Sequence, residues 1–362
     1  MRITTETIVK LKKYRLYHIL NRAYSVALKI KNRLSTGPVI LLYHRVANLD
    51  NDPQLLAVTP EHFYEHMEYL KQNHDIVGLN ELKSSISSRK LPKNSIAITF
   101  DDGYADNFLN AKPVLEKLQI PATIFVVTGQ VGSTREFYWD ELERLLLLRP
   151  SLPKSLRLTI RGKAYFFEID GSAELTENKG ELIYQRWNVT LGFYPTARHR
   201  VYTELLRLLR PLDDTERQAI LSEIARWAQE SSRGRQDYRA LSLDEIRDLA
   251  GSGLIKIGAH TVTHPVLSVQ SSEVQQREII ESKQCLEDII KQPVTAFSYP
   301  YGGWGDVTSE TIEFVREAGF EVACAGIASH VNPRSDPFWL PRWTVRDWGG
   351  DEFAHRLKGL LS

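Results

Sequence analysis

The strongest constraint on the fold is a recurring pair of signals. A short, continuous apolar run bounded by turn residues is followed closely by a segment of helical periodicity. Val39-Ile-Leu-Leu-Tyr43 follows the breaker Gly37-Pro38, and helical segments follow at about 60–73 and 79–88. Ser95-Ile-Ala-Ile-Thr-Phe100 is a second run, with a helix over about 107–118 and a third strand over 121–127 behind it. Runs this apolar are buried on both faces, as strands of a parallel sheet are. Their alternation with helices calls for a parallel sheet or barrel. The rhythm breaks after Gly129 and resumes with a helix at 243–252 and a strand at 254–258. A helix near 272–291, a strand at 294–298, a helix at 308–318 and strands near 321–325 and 342–346 complete it. Between the two stretches, 138–238 reads as an insertion with its own α+β content. It carries a helix at 139–149, a hairpin of 156–160 with 164–169 about Arg161-Gly162-Lys163, and charged helices near 197–210 and 213–230.

Composition excludes several classes. A length of 362 residues suits one large α/β domain with an insertion, or two ordinary domains. A net charge of +1 gives no electrostatic footprint for nucleic acid. Cys285 and Cys324 make neither a disulfide framework nor a CxxC metal pair, so a reducing, cytoplasmic setting is expected. There is no secretory signal pattern, and no run reaches the ~18 apolar residues of a transmembrane helix. Residues 7–34 are basic and amphipathic. Ile8, Leu11, Ile19, Ala23, Val26, Ile30 and Leu34 recur near helical spacing among eight lysines and arginines. That pattern fits a helix packed on the main domain, or one making peripheral contact with an anionic membrane. Nothing in the sequence specifies an oligomeric state.

Chemistry-bearing residues gather at strand ends. Asp101-Asp102 close the strand 95–100, His260 closes 254–258 and opens His260-Thr-Val-Thr-His264, His44 closes 39–43, and Tyr299-Pro-Tyr-Gly302 closes 294–298. Singly, each has a plain reading: acidic pairs beside glycine form turns and caps, and two histidines four apart match by chance. Together they differ, because parallel α/β barrels open all strand carboxyl ends onto one face. One carboxylate and two imidazoles make a plausible ligand set for Zn²⁺, or for Co²⁺, Ni²⁺ or Mn²⁺.

The strings Thr99-Phe-Asp-Asp-Gly-Tyr104, His260-Thr-Val-Thr-His264 and Phe297-Ser-Tyr-Pro-Tyr-Gly302 resemble the polysaccharide deacetylase family. This is the NodB-homology domain, or carbohydrate esterase family 4. The resemblance spans about 37–130 and 239–346. It implies a distorted (β/α)7-type barrel over 37–346; the insertion at 138–238 and an N-terminal helix in 1–36 lie outside the resemblance, and a C-terminal helix is expected in 347–362. It also implies roles: Asp101 as general base, Asp102, His260 and His264 as metal ligands, and the Tyr301 backbone N–H as oxyanion donor. Ser298 stands where the family's third motif usually carries arginine, and no Leu-x-His-Asp string supplies the general acid. Leu42-Tyr-His-Arg-Val46 resembles a branch including the poly-N-acetylglucosamine deacetylases, in which an early histidine is the acid. On that reading His44 is the acid, and Arg342 in Leu340-Pro-Arg-Trp343 replaces the missing arginine beside Asp101.

The expected activity is metal-dependent hydrolysis of N-acetyl groups from an N-acetylhexosamine-containing polysaccharide or its lipid-linked precursor. Asp101 takes a proton from the attacking water, and His44 protonates the departing amine. Candidate sugar contacts are Trp139, Asp140, Tyr104, Pro300 and Trp304, with Trp343 a further aromatic. Two alternatives stand beside this reading. The same fold acts on another non-peptide C–N bond or an O-acetyl ester, or a non-catalytic barrel only binds carbohydrate.

Overall fold

The computed structural model describes residues 37–361, apart from 89, 91–93, 170–185 and 232. The amphipathic segment 7–34, and any membrane contact through it, lies outside the described residues. Among the described residues, no helix is long and apolar enough to cross a membrane.

Twelve strands are described: β1 Val39–Tyr43, β2 Arg45–Val46, β3 Ala57–Val58, β4 Asp75–Ile76, β5 Ser95–Phe100, β6 Ala122–Val126, β7 Ser155–Ile160, β8 Lys163–Glu168, β9 Ile255–Ala259, β10 Ala296–Ser298, β11 Val322–Cys324 and β12 Trp343–Thr344. The main sheet runs β11-β10-β9-β6-β5-β1-β12, and every pair in it is parallel. β4 shares the β6 side of β5, pairing with Ser95 and Ile96 while β6 pairs with Thr99 and Phe100. An isolated parallel bridge from Cys324 to Leu340, just ahead of β12, brings the two ends of the sheet together. The result is a curled parallel sheet of seven strands: the rhythm of apolar runs calls for a parallel sheet or barrel, and the (β/α)7-type form is the one the family resemblance implies. β1, β5 and β6 are buried along their whole length, which is why those runs lack polar alternation.

Three details depart from the sequence reading. The helix expected over 107–118 starts as a π-helical turn, Asn107–Ala111, before Lys112–Leu118 becomes α. That turn serves side-chain bonds: the Asp106 carboxylate takes the Val46 N–H, and Asn107 and Asn110 donate to the His44 and Val46 carbonyls. β2 and β3 pair in parallel where no strand was expected, and Asp52 closes the segment between them by accepting the Leu56 and Ala57 N–H groups. Of the strand expected near 342–346, only Trp343–Thr344 pairs, aligned with Leu41 and Leu42.

Residues 137–228, with two from the barrel, form a second core. Leu142, Leu145, Leu156, Leu158, Val201, Leu205, Leu221 and Ile224 pack together and are joined by Tyr104 and Val127 from the barrel. The β7–β8 hairpin turns on Arg161 and Gly162, both at positive φ (47° and 74°), the mirror-image turn that matches strand twist.

Candidate active site

A cavity of about 130 Å³ opens at the carboxyl ends of the strands, lined by Leu42, His44, Gln54, Leu56, Asp101, Asp102, Trp139, His260, His264, Tyr301 and Arg342. Residues from both ends of the chain thus meet at one mouth. A larger cavity of about 410 Å³ lies at the opposite, amino-terminal ends of β6, β9 and β10 and holds none of these groups.

Local backbone geometry aims the side chains. Asp102, Thr261, His264 and Tyr301 all have positive φ, between 57° and 72°. For non-glycine residues that conformation costs on the order of 1–3 kcal/mol each, and it clusters at functional sites. Gly103, also left-handed at φ 74°, turns the chain so closely over β6 that an added Cβ would lie 3.1 Å from Val126. The His260–His264 turn is held by a residue the sequence did not single out. Glu278, on the helix Ser272–Ile290, is buried and accepts the Val262 and Thr263 N–H groups (2.8 Å each) and the Thr263 hydroxyl (2.6 Å). In sequence it is one of many charges on a helix; only burial sets it apart.

Asp102, His260 and His264 form a cluster whose donor atoms could hold a metal ion. One ligand atom from each lies within 4.8 Å of the others, and all three residues are buried. Asp102 Oδ1 is 3.7 Å from His260 Nε2 and 3.5 Å from His264 Nε2. Two ligands about 2.1 Å from a tetrahedral ion lie about 3.4 Å apart, so the donor set fits a first-row divalent ion. The His260 tautomer follows from its neighbour: Nδ1 lies 2.7 Å from the Ser298 carbonyl, which only accepts, so Nδ1 carries the proton and Nε2 is the free donor. Burial, then the like charges of Asp101 and Asp140, push the Asp102 carboxyl well above the usual range. A bound cation reverses that preference.

Asp101 has a different environment. Burial alone would raise its pKa, but the Arg342 guanidinium and then His260 outweigh it and hold the carboxylate far below the ordinary value. Arg342 grips it with two bonds, Nη1 to Oδ1 at 2.7 Å and Nη2 to Oδ2 at 2.6 Å. Ser298 Oγ donates to Oδ2 at 3.1 Å and accepts from Arg342 Nη2 at 2.8 Å. The guanidinium beside Asp101 thus comes from Arg342, just ahead of β12, and shares that carboxylate with Ser298 of β10. His44, half-buried on the cavity wall, is pushed down to about 4, chiefly by burial, with Asp101 opposing. Among the described residues, the Tyr301 N–H has no hydrogen-bond partner.

The sugar-contact candidates separate. Trp139 lines the cavity, its ring edge-on to His264 at 5.2 Å. Tyr104 and Asp140 lie behind it: Trp139 Nε1 donates to Tyr104 Oη (2.8 Å), and Tyr104 Oη donates to Asp140 Oδ2 (2.6 Å). Both are buried and neither lines the cavity, so they hold the indole from behind, which differs from the sequence reading that put them on its wall. Burial, opposed by Arg45, raises Asp140 to about 7. Pro300 is buried off the cavity wall, and Trp304 is 52% exposed outside it, beside Trp339 at 5.5 Å. Trp343 Nε1 donates to the Ser329 carbonyl, away from the cavity. Gln54, Leu56 and Tyr138 shape the site without any sequence signal.

Comparison with known proteins agrees with this geometry. A family model described as polysaccharide deacetylase matches residues 88–147 and 198–323, just over half the chain. The poly-beta-1,6-N-acetyl-D-glucosamine N-deacetylase of Staphylococcus aureus is 33% identical over 130 residues, 32% of this chain and 44% of that protein. Bacillus subtilis YxkH is 31% identical over 108 residues, 29% of this chain and 37% of that protein. The matches thus span less than half the length of these curated relatives. Among solved structures, IcaB from Ammonifex degensii superposes with a TM-score of 0.56 at 19% identity, over 91% of this chain and 98% of that one. The Streptococcus pyogenes deacetylase PplD, solved with acetate, gives 0.53 at 17% identity, over 89% and 97%. At such identities these two show a shared fold.

Proposed function

We propose that this chain, which belongs to the polysaccharide deacetylase family, hydrolyses the N-acetyl amide of an N-acetylhexosamine-containing carbohydrate to acetate and a free amine. One observation carries the reading. A buried carboxylate–imidazole–imidazole cluster shares its cavity with a second carboxylate that is locked in its charged form. Sugar binding alone requires neither. The Staphylococcus aureus relative, named for N-deacetylation of poly-N-acetylglucosamine, supports this substrate class.

Asp102, His260 and His264 would hold the divalent ion, and zinc is the choice we make because two neutral imidazoles and one carboxylate leave positions open for water and substrate. When bound, that ion polarises the amide carbonyl and acidifies water. The protein's own residues do the rest. Asp101 accepts the proton of the attacking water; it is a weak base, and Arg342 with Ser298 fixes its direction. The Tyr301 N–H, unpartnered and held at φ 62°, donates to the oxygen on which negative charge develops. Burial disfavours the charged form of His44, and the charge that develops beside it favours that protonated form, which gives a proton to the departing nitrogen. Trp139 and Leu56 line the same cavity with apolar surface.

The test is an acetate-release screen over N-acetylated and O-acetylated glycans, comparing wild type with Asp101→Asn. Release from N-acetyl substrates that the variant loses supports the reading. Turnover of O-acetyl esters alone would replace it with an esterase.

A further inference from the structure

The His260–His264 turn is satisfied almost wholly from within the barrel. Val126 O accepts the His260 N–H at 3.0 Å, and the Thr128 and Gly129 N–H groups donate to the Thr261 and Val262 carbonyls at 3.1 and 2.7 Å. Glu278 takes the Val262 and Thr263 N–H groups, and Thr261 Oγ1 takes that of His264 at 3.0 Å. The Thr263 carbonyl, in the peptide bond next to His264, is the exception. Its donor is Arg217 Nη1 at 3.4 Å, from the inserted helix Asp214–Trp227.

Arg217 is an unusual side chain to place there. It is 3% exposed, its other hydrogen bond goes to the Leu212 carbonyl at 3.0 Å, and its Nε has no partner among the described residues. No carboxylate among the described residues offsets its charge, a costly arrangement for a desolvated guanidinium. The same guanidinium lies over the Tyr138 ring at 4.7 Å, and Tyr138 Oη is 3.1 Å from Tyr301 Oη. Arg217 thus touches the turn that carries His264 directly and reaches Tyr301 through Tyr138, while Arg210 lies over the Tyr301 ring itself at 4.2 Å.

We propose that Arg217 is a positioning residue, through which the insertion sets His264 and Tyr301 relative to each other. The proposal rests on the metal-site reading above. A flat guanidinium bridging two carbonyls and stacking on a ring does what an ammonium cannot. Outer partners that orient metal ligands typically affect affinity by about 10–100-fold.

The experiment titrates cobalt(II) into the metal-free full chain and reads affinity and visible absorption for wild type, Arg217→Met, Arg217→Lys and Arg198→Met. Arg198 is the control: also buried in the insertion, it donates to the Arg149 and Pro150 carbonyls, remote from the cavity. Arg217→Met is expected to bind cobalt about tenfold more weakly with an altered spectrum, Arg217→Lys to fall between it and wild type, and Arg198→Met to match wild type. Equal affinity and spectrum across all four proteins overturns the proposal. So does an equal loss in Arg217→Met and Arg198→Met, which signals general loosening. If Arg217→Met does not fold, wild-type binding by Arg217→Lys is the overturning result. A wild-type chain that takes up no cobalt contradicts the metal-site reading itself.

Discussion

On the barrel side of the cavity, Asp101, Asp102, His260 and Tyr301 stand at or just past the carboxyl ends of parallel strands. On the insertion side, Tyr138, Trp139 and Arg217 project from helices of a second core. The barrel side holds the carboxylates and imidazoles that line the cavity, and the left-handed backbone; the insertion side supplies aromatic faces and the buried Arg217. The family model covers residues of both sides, Tyr138 and Trp139 in its first segment and Arg217 in its second, and passes over only 148–197. The difference suggests that the chemistry is fixed by strand ends, while access and alignment are set by whatever packs against them.

That contrast can be broken by a variant on the wrong side having the larger effect. The largest loss is expected for Asp102→Ala: zinc uptake by equilibrium dialysis and acetate release should both fall to background, with far-ultraviolet circular dichroism retained. Next, Asp101→Asn should lower kcat by about 10²–10⁴-fold while zinc stays bound. Retained kcat there would take the base role from Asp101. In the insertion, Leu205→Ala removes a fully buried side chain and should cost about 2–5 kcal/mol in denaturant unfolding. Zinc affinity should change far less than in Asp102→Ala. Trp139→Leu should act mainly on KM, by several-fold, consistent with about 1 kcal/mol for an aromatic contact beyond its area. A drop in kcat as deep as that of Asp101→Asn would erase the distinction between the two sides.

The smallest effect concerns acid. Each region buries a neutral histidine: His66 stacks on Phe353 in the barrel, and His199 meets Trp187 in the insertion. Burial pushes both down to about 4, so each binds its proton more readily when unfolded. Stability from both is complete above pH about 6.5 and declines as pH falls toward about 4. His66→Gln should flatten that slope in thermal melts monitored at pH 4.5 and 6.5 (about the two ends of the window). An unchanged slope would mean that His66 is not the titrating group.

Legibility in sequence follows the same division. Apolar runs exposed the strands because parallel strands are buried on both faces, and the Asp-Asp-Gly and His-x-x-x-His strings exposed the candidate ligands because each sits on a tight turn after a strand. Arg342 was legible only as a replacement for an arginine missing at Ser298. Glu278 and Arg217 had no signature, since an acidic or basic residue on a helix reads as a solvated face until packing buries it. Asp140 and Tyr104 were misplaced onto the cavity wall for a related reason. Sequence put them beside Trp139 and the Asp-Asp pair, but did not show that their hydrogen bond to each other turns them inward.

The most direct test is acetate release from an N-acetylglucosamine oligomer by the full chain, first stripped with chelator and then titrated with zinc. Release should vanish on stripping and return in proportion to zinc, saturating at about one ion per chain, as expected for a single three-ligand site. Release that survives complete stripping, or that zinc restores equally well in His264→Ala, would contradict a reaction centred on Asp102, His260 and His264.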